Sequence, residues 1–416
     1  MMSRKGILVI VNLDTRGPEF VLVKETIENR GLNAIVMDFS MEMEPPYPGD
    51  ITCEEVAEAG GLSIEEVRYL YNKSDRIKAT DNQIAGGIKI AKRLLEEGKI
   101  HGAIGIGGGT SSLVATSIMK QLPFGMPKLM ASPMAAHPRY ISKYVGTKDM
   151  TMHHTVLDIV GLNPLLKIQL MNAIGAICGM VELSEGWEIK SDKPLIAVSA
   201  FGQAERAVEH AIHYLKDLGY EPIVTHAQGV GDRAMDEMIA EGLFQGVIDF
   251  VTGGITDELF GGNCAGGPNR ILAACKAKIP QIVAPAGLEK ISYGGRSDLY
   301  ERFAGRKMKI TDSSRVQVRV TAEELKQVAR VVAERLNEAI APTKMLYPQK
   351  GWSAMSEEGM HIHDPEADAA FLEELKKHLK KEVEIVELPL ALNTEEFAKK
   401  AVELFDEMYK TWINKN

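Results

Sequence analysis

Two short stretches hold the residue types from which a phosphate site is built. GIGGGTSS sets Gly107, Gly108 and Gly109 ahead of three consecutive hydroxyl residues, Thr110, Ser111 and Ser112. Glycines let a backbone approach a ligand closely, and the free N–H groups of a helix start attract an anion. The hydroxyls could donate to phosphate oxygens or cap the helix. NLDTRGPE follows an apolar run and presents Asp14, Thr15 and Arg16. Asp14 could hold Mg²⁺, Arg16 could meet a phosphate, and Thr15 could do either. A plain glycine turn with Thr110 or Ser111 as N-cap, and an Asp14 or Thr15 that caps the next helix, fit the same spacing. The first stretch is not a P-loop, since no lysine follows its glycines, and Thr110 stands where a dinucleotide fingerprint has its third glycine.

Further candidates are scattered. YVGTKDMTMHHT offers Lys148 and Asp149 as a cation and carboxylate in a loop, Lys148 counting among the candidate nucleotide contacts, and its neighbouring histidines, His153 and His154, would diverge on a helix rather than share a metal. VTGGITDELFGG places Asp257 and Glu258 just past a glycine turn, where they suit a cation, a hydroxylated substrate or a plain helix start. With Glu289, Arg302 and Asp364 they form the candidate set for a second ligand. His361 and His363 stand two apart beside Asp364, a two-histidine, one-carboxylate metal set if the segment is extended, although DPEAD is also an ordinary helix start. No Ser-His-Asp order, HExxH or CxxC appears.

The elements that must carry these residues alternate. GILVIVNLD, EFVLVKETIENRG and LNAIVMDFS read as strand, helix, strand, and PLIAVSAFG, QAERAVEHAIHYLKDLG and YEPIVTHAQ repeat that order. Near-continuously apolar strands between helices belong to parallel sheets covered on both faces. The expected fold class is therefore α/β, with two doubly wound domains, 1–185 and 193–416, whose parallel sheets face an interdomain cleft. A chain of 416 residues exceeds the roughly 250 to 300 at which one core stops growing. Residues 151–182 read as two helices and 41–61 as a loop-like insertion.

Composition narrows the partners. A net charge of −9 without a basic cluster argues against nucleic acid, and no run reaches the roughly 18 apolar residues of a membrane span. The four cysteines lack CxxC spacing and read as reduced thiols of a cytoplasmic protein.

VGTKDMTMHHTVLDIVGLN, AEGLFQGVIDFVTGGITDEL, KIPQIVAPAGLEKISYG, ERFAGRK and HDPEADAAFLEELK together resemble the ATP-binding family named after the tomato mosaic virus resistance protein. The resemblance implies two α/β domains, a site for ATP and Mg²⁺ in the N-terminal one, and a homodimer. It places the nucleotide on Asp14 to Gly17 and on Gly107 to Ser112. The expected role is Mg-nucleotide binding, either in an ATP-dependent enzyme of small-molecule metabolism with a second ligand in the cleft or in a non-catalytic binding or sensor protein.

Overall fold

The computed structural model describes residues 4–15 and 17–415. The chain forms two compact units, Met1–Ile189 and Lys190–Asn416.

Unit 1 runs β1 (Gly6–Val11), α1 (Gly17–Asn29), β2 (Asn33–Asp38), α2 (Cys53–Gly60), α3 (Ile64–Lys73), α4 (Arg76–Glu96), β3 (Gly102–Ile106), α5 (Gly109–Met119), β4 (Lys128–Ser132), α6 (Ile141–Val145), β5 (Thr151–His154) and α7 (Pro164–Leu183). Its strands pair in parallel in the order β2-β1-β3-β4-β5. Alternation along β1 decides which layer each side chain joins. Leu8 and Ile10 pack with α2 to α5, whereas Ile7, Val9 and Val11 pack with α1 and α7. Both faces are thus apolar, as a buried parallel sheet requires.

Unit 2 runs β6 (Leu195–Ala200), α8 (Glu205–Asp217), β7 (Glu221–His226), α9 (Val230–Ala240), β8 (Gly246–Val251), α10 (Gly254–Phe260), α11 (Leu272–Ala277), β9 (Gln281–Ala286), β10 (Lys290–Ser292), α12 (Leu299–Arg302), β11 (Met308–Asp312), β12 (Arg315–Arg319), α13 (Ala322–Leu336), β13 (Thr343–Pro348), α14 (Pro365–His378), β14 (Glu384–Leu388) and α15 (Glu395–Ile413). The main sheet is parallel and ordered β14-β13-β9-β8-β6-β7, so its first strand also lies between its second and third. A smaller antiparallel sheet, β10-β12-β11, joins it.

Three expectations need correction. Residues 151–154 are not helical: they form β5, an edge strand whose register with β4 pairs Leu129 with Thr151 and Ser132 with His154. The helix begins only at Pro164, capped by Asn163, whose side chain accepts from the Leu166 amide. The insertion at 41–61 is not all loop. Thr52 and Glu55 form a reciprocal capping box that starts α2, and Ser63 and Glu66 repeat it for α3. Residues 361–364 do not form the extended segment that a metal pair of His361 and His363 would need. His363 engages the Ser356 carbonyl at 2.9 Å, and among the described residues no cluster of three or more His, Cys, Asp or Glu is arranged for a metal.

Helix α7 is long and apolar enough to cross a membrane, but Leu166, Leu170, Ile174, Ile177 and Val181 are buried against the sheet of unit 1. That is the pattern of a core helix.

Unit 2 contains a buried charge cluster. Arg270 is fully buried; its Nε donates to Asp232 at 2.7 Å and its two terminal nitrogens donate to Asp249 at 2.5 and 2.6 Å. Asp236 lies 3.8 Å from the same guanidinium without a hydrogen bond to Oδ1, and burial pushes its carboxyl up to about 7 against the pull of Arg270. Burial likewise pushes Asp368, paired with Arg319 at 2.6 Å, up to about 6. A carboxyl that holds its proton more tightly folded than unfolded stabilises the fold at low pH, and that contribution is lost as pH rises through the folded value. Unit 2 is therefore expected to melt at a lower temperature at pH 7.5 than at pH 5.5. Asp236→Asn, which keeps the site neutral, should shrink the difference in a calorimetric scan; an unchanged difference would exclude Asp236 as its source.

Candidate functional site

In an open parallel sheet the crevice for a ligand opens at the carboxyl ends of the strands, where the strand order reverses. In unit 1 that point lies between β1 and β3, and a cavity of about 240 Å³ sits there. Three strand ends build it.

After β1 the chain turns through Asn12, Leu13, Asp14 and Thr15. Leu13 is buried and anchors the turn, so the polar residues around it are held toward the cavity. Asn12 ties the turn together: its Nδ2 donates to Asp14 Oδ1 at 3.0 Å and to the Thr15 hydroxyl, and its Oδ1 accepts from Ser111 Oγ at 2.9 Å. The last bond fastens β1 to the first turn of α5.

After β2, Asp38 is completely buried and organises the backbone. Its Oδ1 accepts from the amides of Leu13 and Ser40, at 3.0 and 2.9 Å, and from the Ser40 hydroxyl. Desolvation raises its carboxyl above the usual range despite these bonds. Ser40 Oγ in turn accepts from the Asp14 amide at 3.0 Å, and Asp14 Oδ2 accepts from the Glu42 amide at 3.1 Å. Asp14 is thereby fixed from both sides.

After β3, Gly107 takes φ +145°, and Gly108 is the N-cap of α5. Gly108 has no side chain to cap the helix, so the amides that begin α5 receive no side-chain acceptor there. Thr110 and Ser111 are inside the helix, not at its cap. Ser112 faces away, donating to the Gly108 carbonyl at 2.8 Å and sharing a hydroxyl–hydroxyl hydrogen bond with Ser132 Oγ at 2.7 Å.

Of the residues singled out in the sequence, Asp14, Thr15, Gly108, Gly109, Thr110 and Ser111 line this cavity together. Gly107 supports it, Ser112 serves packing, and Arg16 lies outside the described residues. Lys148 does not line it. Its neighbour Asp149 has a structural partner in the fully buried Lys128, at 2.9 Å, and accepts from the Gly125 amide at 2.7 Å. Sequence reasoning missed Asn12, Asp38, Glu42 and Tyr71. The first two were findable as polar residues at or just past the end of an apolar strand, whereas Glu42 and Tyr71 arrive from the insertion and α3, without a local signal.

The unit 2 candidates do not converge on one ligand. Asp257 accepts from the amides of Ser292 and Cys264, at 2.8 and 2.9 Å, and burial raises its carboxyl. Glu258 accepts from the Gly267 amide, and buried Glu289 from the Gly287 amide and the Ser353 hydroxyl. Arg302 donates to the Tyr293 hydroxyl and the Phe260 carbonyl, and Asp364 caps α14. Each is engaged in holding backbone or loop in place.

With this geometry in hand, comparison with known proteins places the chain. Residues 5–186 match the N-terminal domain of the uncharacterised protein family UPF0261, and residues 193–409 match its C-terminal domain. The chain belongs to UPF0261. A UPF0261 protein of Clostridium tetani is 39% identical over 95% of this chain and 96% of its own. One of Brucella suis is 29% identical over 96% and 94%. The ToMV resistance protein Tm-1(GCR237) of Solanum lycopersicum is 33% identical over 75% of this UPF0261 chain but only 42% of its own length. The ToMV susceptible protein tm-1(GCR26) of the same species aligns over the same shares at 32%. Among solved structures, a complex of S. aureus MnaA with UDP aligns over 90% of this chain at 10% identity and a TM-score of 0.21, too distant to bear on a ligand.

Proposed function

We propose that unit 1 of this UPF0261 protein binds a nucleoside triphosphate, ATP, together with Mg²⁺. One observation carries the reading: at the strand-order reversal, an uncapped helix N-terminus shares a cavity with two carboxylates, Asp14 and Glu42. A bare anion would be drawn by the helix and repelled by the carboxylates. A phosphate that brings a divalent cation satisfies both, since Mg²⁺ is bound through one or two carboxylates plus substrate phosphates. The site's residues fit the group: Asp14 and Glu42 are the candidate ligands for the cation, and the amides of Thr110 and Ser111 with the Thr110 hydroxyl the donors to phosphate oxygens. The cavity, about 240 Å³, is below the roughly 300 to 1,000 Å³ of sites that enclose a whole ligand, so it suits the phosphate end, with the nucleoside extending past it. The choice of ATP among nucleotides rests on the resemblance to the tomato ATP-binding family.

Two substitutions test the site without touching the core. A side chain at Gly109 would meet no atom within 4 Å, so Gly109→Val should fold normally yet crowd the phosphates. Asp14→Asn should remove most of the Mg²⁺ dependence. In a fluorescence titration with a mant-labelled ATP, we expect Gly109→Val to weaken binding by more than about tenfold, the loss of one charge-assisted contact or more. Wild-type affinity in folded Gly109→Val would place the nucleotide elsewhere.

A further inference from the structure

Unit 2 has a cavity of its own, also at the carboxyl ends of its strands. It opens at the carboxyl ends of β6 and β7, between Phe201 and Gln203 on one side and His226 on the other, and β11 and β12 wall it. At about 460 Å³ it falls inside the range of small-molecule sites. Its walls are mixed: Phe201, Tyr293 and Met355 give apolar surface beside polar side chains.

Charge sets it apart. In a chain with a net charge of −9, the ionised groups that line this cavity are Lys309 and Arg315, with no Asp or Glu among the lining residues. Behind the wall lies Lys290, only 4% exposed, whose Nζ donates to Ser292 Oγ at 2.9 Å and sits 5.4 Å from the centre of the Phe201 ring. Buried cations are ordinarily matched by a carboxylate. Among the described residues none comes within ion-pair distance of Lys290; the buried Asp257 carboxylate, whose oxygens accept from the Cys264 and Ser292 amides, attracts it only from beyond that distance. Arg315 does have a partner, Asp312, at 2.6 Å, and is a rim charge. Gln203 adds a second unmet demand: it is buried, and neither its Nε2 nor its Oε1 has a hydrogen-bond partner. A native fold seldom leaves a buried amide unanswered beside a buried cation that has no direct ion pair.

We propose that this cavity is a second ligand site, for a small organic anion with a carboxylate or phosphate head and an apolar body. The head takes the charge of Lys290 together with Lys309, and the body lies against Phe201, Tyr293 and Met355. The two cavities then differ in kind. The one in unit 1 presents carboxylates and needs a cation, whereas this one presents cations and needs an anion, so the inference stands whether or not unit 1 binds nucleotide.

Saturation-transfer NMR on the full chain tests it with benzoate, phenyl phosphate and the neutral benzyl alcohol. Transfer to at least one anion and little to the alcohol is expected, and the better anion identifies the head group. Lys290→Met keeps the aliphatic stem and removes the charge, and should raise the dissociation constant about tenfold or more. If that variant does not fold, the rim pair Lys309→Ala with Arg315→Ala carries the same expectation at a several-fold weaker effect. Equal transfer to the alcohol, no transfer to either anion, or wild-type affinity in the folded variants would overturn the proposal.

Discussion

Arg270→Met is expected to destabilise unit 2 by about 3 to 5 kcal/mol, the cost of stripping the partner from buried charges. The guanidinium joins Asp232 of α9 to Asp249 of β8, with Asp236 close by, and it also donates to the Val251 carbonyl at 3.0 Å. Removing it leaves these carboxylates facing one another in a dry interior. Arg270→Lys should recover little, because one ammonium cannot reproduce a fork that binds Asp249 through two nitrogens and Asp232 through a third. Since the chain has two units, a single melting curve would blur the effect. Hydrogen exchange resolves it: protection should fall in β8 and α9 and remain in β1 and β3. Equal loss in both units, or none, would contradict the role given to Arg270.

Gly107→Ala is expected to abolish nucleotide binding in unit 1, with more than about a hundredfold loss of affinity, and to cost about 2 to 4 kcal/mol of stability. The residue combines a φ of +145° with a crowded surrounding: a Cβ there would fall 2.3 Å from Ser111 Oγ and 2.5 Å from Ser111 Cβ. Ser111 is the residue that bonds Asn12, so the added methyl would push apart the two strand ends that form the cavity. The contrast with Gly109 is the informative part. Gly107→Ala should lose both stability and binding, whereas Gly109→Val should lose binding alone. Denaturant titration of both variants beside their nucleotide affinities checks this. Full binding by Gly107→Ala would show that the turn does not shape the site.

The alternation of apolar strands and amphipathic helices was legible because a doubly wound sheet writes its burial into local runs, as in GILVIV and GVIDFV, buried at every residue. The misread segments are those where tertiary pairing outweighs local pattern. Thr151 to His154 is only four residues long and partly exposed, and becomes a strand because β4 offers it an edge. The small antiparallel sheet was missed for a related reason. KITDSSRVQVRV alternates as a strand should, but its turn depends on Asp312, whose Oδ1 accepts from the amides of Ser314 and Arg315.

The unit 1 cavity was partly legible for the same kind of reason. Glycines and hydroxyls at a strand end are a local signature, so Asp14 and Gly108 to Ser111 could be singled out, while Glu42 and Tyr71 reach the site only through the fold. In unit 2 the acidic candidates were chosen by residue type. Type cannot show that Asp257 and Glu289 already serve backbone amides, nor that Lys290 is buried without a direct ion pair.

Calorimetric titration of the purified protein with a non-hydrolysable ATP analogue, with and without Mg²⁺, tests the central claim most directly. Helix N-terminus and carboxylates in one cavity predict saturable binding that is strong with Mg²⁺ and weak without it. Absence of binding in both conditions, or equal binding in both, would contradict the account.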